Sequence, residues 1–160
     1  MARDGAPTSI RSLAVTVEDV VSALELNQTT AKQAVLRVTP PFSGRMRARL
    51  HVDGTPEDET PTNGNRTLRI KPTAFLACEP TYPTAADTEE RLRADSTKTY
   101  TVERHHEYHL AAVADWREAV ADEISTRTTI QTPVGPHDVE ITTLGDLPEE
   151  SAPKQEKSDG

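Results

Sequence analysis

The sequence predicts a single α+β domain, in which an antiparallel sheet packs against helices and both ends of the chain are disordered. Apolar residues recur at helical spacing near residues 17–24 and 113–124, but they alternate with polar residues at 45–52 and 68–71. With 160 residues the chain is long enough for one domain and too short for two ordinary ones.

The ends of the chain lack apolar periodicity, and the C-terminal end is also polar and interrupted by proline. Such segments cannot bury enough apolar surface to offset the entropy of ordering them. We therefore place disordered ends at residues 1–8 and 145–160 and the folded domain at residues 9–144.

The first helix is expected to begin after Thr16, whose hydroxyl can cap it while Asp19 completes a capping box. Four apolar residues then follow at helical spacing and predict one buried stripe. They are Val17, Val20, Val21 and Leu24. This helix should run to about Leu26.

The next segment is ambiguous. Residues 30–38 could form a second helix, which would make residues 19–38 a helix-turn-helix offering Lys32, Gln33 and Arg37 to DNA. Residues 35–39 are instead rich in β-branched side chains and end at two prolines, which is typical of a strand. The strand is favoured, because residues 40–44 could then connect it antiparallel to the segment that follows.

That following segment, residues 45–52, alternates arginine with apolar residues. A period of two places Met46, Ala48, Leu50 and Val52 on one face of a strand and the basic side chains on the other. An acidic loop is predicted at residues 53–64, and a further strand places Arg69 and Lys71 on its polar face. If the two strands pair, one sheet face carries five cationic side chains: Arg45, Arg47, Arg49, Arg69 and Lys71. These cations could bind an acidic partner, pair with the carboxylates of the acidic loop, or stand in solvent.

Three elements complete the predicted domain. Residues 84–95 form a short charged helix with room for helical ion pairs. A longer helix covers residues 102–124 and has Trp116 as its core anchor. Residues 128–132 and 137–144 flank a turn and form a terminal hairpin.

Composition indicates the setting of the protein. Its net charge is −8, hydrophobic residues make up 34% and lysines number five. A dense carboxylate surface with few lysines is typical of proteins that stay soluble in molar salt, so we expect a halophilic, cytoplasmic protein. At about 1 M salt the screening length is about 3 Å, so a basic face could act there only through direct contacts.

The one cysteine and the hydropathy pattern fit the same setting. Cys78 excludes an intramolecular disulfide, and its apolar neighbours in sequence predict a buried thiol. No apolar run is long enough to cross a membrane, so no membrane partner is expected. The run from Pro40 to Val52 resembles stretches in small uncharacterised haloarchaeal proteins. This resemblance covers at most the first third of the chain and implies no function.

A second candidate site is the histidine cluster His105, His106 and His109. His105 and His109 are one helical turn apart and could share a metal ion. The metalloprotease pattern is excluded, because His106 stands where that pattern requires glutamate. A solvated polar face is the simpler interpretation of the cluster.

The sequence contains no phosphate-binding glycine loop and no nucleophile elbow, and it indicates no cofactor and no catalytic residue. The leading hypothesis is a non-enzymatic binding module whose basic sheet face contacts nucleic acid or an acidic protein. Two alternatives stay open: a metal-binding domain or metal-dependent enzyme using the histidine cluster, and a subunit of a larger assembly. The sequence does not determine the oligomeric state.

Overall fold

The computed structural model describes residues 6–52 and 67–145. The predicted loop at residues 53–64 and most of the two ends predicted to be disordered lie outside these residues. Pro7–Ser9 form a 3-10 turn ahead of the first strand.

Seven strands and three helices make up the described fold. In chain order they are β1 (Ser12–Thr16), α1 (Val17–Thr29), β2 (Ala34–Val38), β3 (Arg45–Arg47), β4 (Arg49–Val52), β5 (Leu68–Ile70), α2 (Ala85–Ala94), α3 (Val102–Asp122), β6 (Arg127–Thr132) and β7 (Gly135–Leu144). The α+β class predicted from the sequence is confirmed.

The strands form two sheets. The first has the order β3-β1-β7-β6, and β1 runs parallel to both of its neighbours while β6 and β7 form the predicted antiparallel hairpin. The second has the order β4-β2-β5 and is antiparallel throughout. The expected single antiparallel sheet is therefore two sheets, one of them mixed.

The two sheets are joined by the alternating segment, which does not form one strand. It divides at Ala48, so that β3 belongs to the first sheet and β4 to the second. The Ala48 side chain is fully buried, and its backbone N–H donates to the carbonyl of Ala14 at 2.9 Å. The alternation continues through this bend, because Met46, Leu50 and Val52 all pack against the core.

Helix α1 packs against the second sheet as its apolar stripe requires. Thr16 caps it by accepting from the backbone N–H of Asp19 at 3.0 Å. The Asp19 carboxylate does not complete the predicted capping box, since it accepts instead from the backbone N–H of Leu50 in β4 at 3.2 Å. The helix continues to Thr29, one turn beyond the predicted end.

The segment after α1 is the strand β2, and the helix-turn-helix alternative is wrong. The Asn27 side chain closes the connection: it accepts from the N–H of Ala34 at 2.7 Å and donates to the carbonyl of Ala34 at 3.0 Å. Ala34, Leu36 and Val38 are each at most 1% exposed. This burial explains why the segment forms a central strand and not an exposed recognition helix.

Helices α2 and α3 lie where the sequence predicts them. A full capping box between Thr84 and Asp87 begins α2, and Arg93 pairs with Glu89 at 2.9 Å along it. Trp116 is 5% exposed, donates to the carbonyl of Pro80 at 3.2 Å and stands edge-on to Tyr82. The role of Trp116 as a core anchor is confirmed.

Candidate functional site

The outer face of the second sheet is almost entirely cationic. Leu36, Leu50 and Ile70 alternate onto the inner side of the sheet, so the residues between them face outward. Arg37 of β2 lies directly opposite Arg49 of β4 and also directly opposite Arg69 of β5. These three arginines form a row across all three strands.

A second row lies beside the first. Val35 is directly opposite His51, and Lys71 follows Ile70, the partner of Leu36, so the same register brings Lys71 next to Val35. Of six neighbouring outward positions, four carry a permanent positive charge and a fifth is histidine. We call these six positions the basic face: Arg37, Arg49, Arg69, His51, Lys71 and Val35.

Exposure differs across the basic face. Arg49, Arg69 and Lys71 are exposed, whereas Arg37 and His51 are half-buried. A guanidinium can only donate, so the contact of 3.5 Å between Arg37 Nη1 and His51 Nε2 requires that this histidine nitrogen accept. Val35 is only 6% exposed and gives the face an apolar centre.

Like charges directly opposite each other on neighbouring strands destabilise a sheet. The row of Arg49, Arg37 and Arg69 places two such pairs side by side. Guanidinium forks match phosphate and carboxylate geometry, and three of them in a row can contact an anion that has several negative oxygens. The arrangement is therefore suited to binding a polyanion.

The structure divides the predicted cationic face. Arg49, Arg69 and Lys71 do share a face, but Arg45 and Arg47 lie in β3 of the first sheet, opposite Ser12 and Ala14. The bend at Ala48 causes this division. Arg45 and Arg47 still alternate outward along the same chain segment, so they continue the line of outward arginines that reaches Arg49.

Arg47 differs from its neighbours in its surroundings. It is half-buried, and its Nε is buried without a hydrogen-bond partner among the described residues. Arg45 is exposed. Of the two, Arg45 is the one whose side chain is more accessible to a partner.

Sequence reasoning left Arg37 out of the candidate site, although it stands at the centre of the row. The sequence patterns connect Arg37 with DNA only through the helix-turn-helix alternative, which the structure contradicts. The missing information was the register: once residues 34–38 are a strand between two others, Arg37 must face the same way as Arg49 and Arg69.

The histidine cluster has a different arrangement. His105 and His109 turn toward α2, and both lie 2.9 Å from the hydroxyl of Thr88, through Nε2 and Nδ1 respectively. His105 Nε2 is also 3.1 Å from the carbonyl of Ala85, which can only accept, so this nitrogen carries a proton. The Thr88 hydroxyl can then donate to His109. His106 is exposed and takes no part.

These hydrogen bonds join α2 to α3 and engage one ring nitrogen of each histidine. Within residues 6–52 and 67–145, no three His, Cys, Asp or Glu side chains are grouped so that they could hold one. The arrangement gives the two histidines a role in helix packing.

The expected burial of Cys78 is wrong, because its side chain is exposed. It follows the 3-10 turn Pro72–Phe75, in which Pro72 and Phe75 supply the buried side chains. The apolar stretch before Cys78 thus contacts the core through Pro72 and Phe75, and the chain has returned to the surface at Cys78.

A polar groove of about 450 Å³ borders the basic face. Val35 and Lys71 belong to both, and Lys32 adds another positive charge to the groove wall, while Glu79 adds a negative one.

The chain was compared with models of protein families, with curated proteins and with solved structures. The model of a Domain of unknown function (DUF8009) matches residues 1–145, which include every described element. The chain belongs to this family. Comparisons with curated proteins and with solved structures found no match.

The DUF8009 domain thus includes both sheets, the basic face and the histidine cluster. The family description names no activity, so any function has to be argued from the geometry of the site. Among the described residues, no helix of the DUF8009 domain is both long and apolar enough to cross a membrane.

Proposed function

We propose that this DUF8009 domain is a non-enzymatic binding module that holds nucleic acid on its basic face. The register of Arg49, Arg37 and Arg69 is the observation that supports this proposal. Three neighbouring guanidinium groups can neutralise phosphates and release their counterions, which supplies much of the affinity of proteins for nucleic acid.

The negative charge of the whole chain strengthens the argument that the basic face is a binding surface. The protein carries a net charge of −8, so a nucleic acid would be repelled by most of its surface. Positive charge concentrated on one sheet face of such a protein supports a local, oriented contact and not general adhesion.

The test is fluorescence anisotropy with labelled oligonucleotides. The double variant Arg37→Gln/Arg49→Gln should bind about tenfold more weakly or worse, because two phosphate contacts are lost. The matched control is Arg91→Gln/Lys98→Gln, which removes the same charge from α2 and the turn after it and should bind as the wild type does.

Circular dichroism would establish that each variant is folded. If the double variant unfolds, Arg49→Gln alone serves, since Arg49 is exposed and such substitutions usually change stability by less than about 0.5 kcal/mol. Equal binding by the wild type and the folded variant would overturn the proposal. Binding of polyglutamate and not of any oligonucleotide would replace nucleic acid with an acidic protein as the partner.

The composition supports a salt-rich cytoplasm, such as that of haloarchaea, as the setting. Acidic residues number 26 against 18 basic ones, and repulsion among them is relieved by salt. The midpoint of thermal unfolding should therefore rise as KCl is raised to about 2 M. The reason is that salt screens the repulsion between exposed carboxylates. A midpoint that is unchanged or falls with KCl would contradict a halophilic origin.

A further inference from the structure

The chemical make-up of the basic face suggests how it would engage nucleic acid. Its charged positions supply guanidinium and ammonium groups, which bind phosphate oxygens. The remaining outward positions are His51 and Val35. Asparagine and glutamine, the side chains that pair with adenine edges, do not occur among these six positions, and the arginines, which can read guanine, fit phosphate equally well.

Every aromatic ring of the chain is accounted for elsewhere. Phe42, Phe75 and Trp116 are at most 5% exposed, and Tyr82 packs edge-on against Trp116. The other two tyrosines belong to the α2–α3 region: Tyr100 lies under Arg93 and beside His105, and Tyr108 is in α3. Proteins that bind single strands stack bases on such rings, and the basic face has none to offer.

The arginines follow two lines that share one residue. Along the chain, Arg45 and Arg47 of β3 are about 6.7 Å apart, as expected for two residues of a strand, and Arg49 follows them beyond the bend at Ala48. Across the second sheet, Arg49, Arg37 and Arg69 are separated by about 4.8 Å per strand. Arg49 stands where the two lines meet.

A flexible single strand could follow both lines by turning at Arg49, but its unpaired bases would find no aromatic ring there. A duplex keeps its bases stacked inside and needs only the phosphate contacts that these cations supply. From this geometry we infer that the basic face, extended by Arg45 and Arg47, binds double-stranded nucleic acid through its phosphates and independently of base sequence. This inference rests on the function proposed above.

Such binding has a defined salt dependence. For duplex DNA, the slope of log affinity against log salt is about −0.9 for each phosphate neutralised. Engagement of all six cations would give a slope of about −5, and removal of one should make the slope shallower by about one.

The experiment compares labelled DNA duplexes of two unrelated sequences with their separated strands. Anisotropy is measured with the full chain over the range of KCl in which circular dichroism shows it folded. We expect the duplexes to bind within about threefold of one another and the single strands about tenfold more weakly.

Two results would overturn the inference while leaving the proposed function intact. One is that single strands bind as tightly as duplexes, and the other is a preference of about tenfold or more for one duplex sequence. Absence of binding to every oligonucleotide would instead overturn the proposed function itself.

Single variants test the shared position. Arg49→Gln should weaken duplex binding more than Arg45→Gln or Arg69→Gln does, since only Arg49 belongs to both lines. The control Arg91→Gln should leave affinity and salt slope unchanged. Equal losses at Arg45, Arg49 and Arg69 would show a diffuse charge effect and would overturn the two-line geometry.

Discussion

Thr88 is the one polar side chain that is fully buried among the described residues. Its hydroxyl lies within hydrogen-bond distance of a ring nitrogen of both His105 and His109. The hydroxyl also lies 3.3 Å from the carbonyl of Thr84 and 3.1 Å from that of Ala85 in its own helix, so it is the two imidazoles that lose a partner when it is removed.

Removing the Thr88 hydroxyl should therefore loosen the helices. Thr88→Val keeps the shape of the side chain but leaves both imidazoles without this partner, and we expect the free energy of unfolding to fall by about 1–3 kcal/mol. Urea denaturation followed by circular dichroism measures this, and Thr88→Ser, which keeps the hydroxyl, is the control. Equal stability of Thr88→Val and the wild type would show that water replaces the hydroxyl.

Asp95 provides a second prediction for a single residue. Hydrogen bonds from the Thr97 hydroxyl at 2.6 Å and, secondarily, from the Thr97 amide at 3.0 Å lower the pKa of its carboxyl below the ordinary 3.8. A carboxyl with a lowered folded-state pKa stabilises the fold above its unfolded pKa, and this stabilisation is lost as pH falls through the folded-state value.

Thr97→Ala removes the stronger of these bonds and should raise the Asp95 pKa toward 3.8. The variant should be less stable than the wild type at neutral pH, and the difference should vanish as pH falls below the folded-state pKa. An NMR titration of the Asp95 carboxyl carbon measures the shift. An unchanged titration curve would assign the effect to the backbone amide alone.

At the scale of elements, the bend at Ala48 joins the two sheets. Its methyl group is buried at a point where β3 and β4 diverge, and its N–H bonds to β1. Only a small side chain fits such a position without moving one sheet relative to the other.

Ala48→Leu should consequently lower the free energy of unfolding by about 1–3 kcal/mol through overpacking. Ala48→Gly, which adds no volume, should cost only about 0.5–1 kcal/mol. Thermal and urea unfolding of both variants would compare the two effects. If leucine were tolerated better than glycine, the joint would have to contain unfilled space.

The elements differ in how well the sequence predicts them. The three helices and the terminal hairpin follow from caps and local periodicity, and the strand Ala34–Val38 follows from its β-branched residues. The strand Ser12–Thr16 is missed, because its five residues directly precede a helix and its pairing partners are distant in the chain.

The same limit applies to the candidate site. Alternation identifies Arg49 and Arg69 as outward residues, but it runs without interruption through Ala48, so the division of the arginines between two sheets leaves no mark on the pattern. The central place of Arg37 depends on strand register, which is a property of three segments together.

At the scale of the molecule, most buried apolar residues of the described segments form one core. The main core includes side chains from both sheets, α1 and the C-terminal half of α3. Leu92 of α2 and Val113 of α3 are buried but lie outside that core. Helix α2 is thus held by few apolar contacts and by the polar trio at Thr88.

We expect this difference to appear in native-state hydrogen exchange. Amides of α2 should open at a lower free energy than those of β1 and β2, because opening α2 leaves the main core intact. Thr88→Val should speed exchange in α2 and leave the two strands unchanged. Uniform exchange across α2 and the sheets would contradict a separately opening helix.

The position of β1 between β3 and β7 also has a consequence for synthesis of the chain. Ser12 pairs with Arg45 on one side and with Glu140 on the other. One edge of β1 can be paired soon after translation begins, but the other has to wait until the last strand leaves the ribosome. A nascent chain that stops short of β7 would present an open strand edge to its neighbours, and such edges are sites of aggregation.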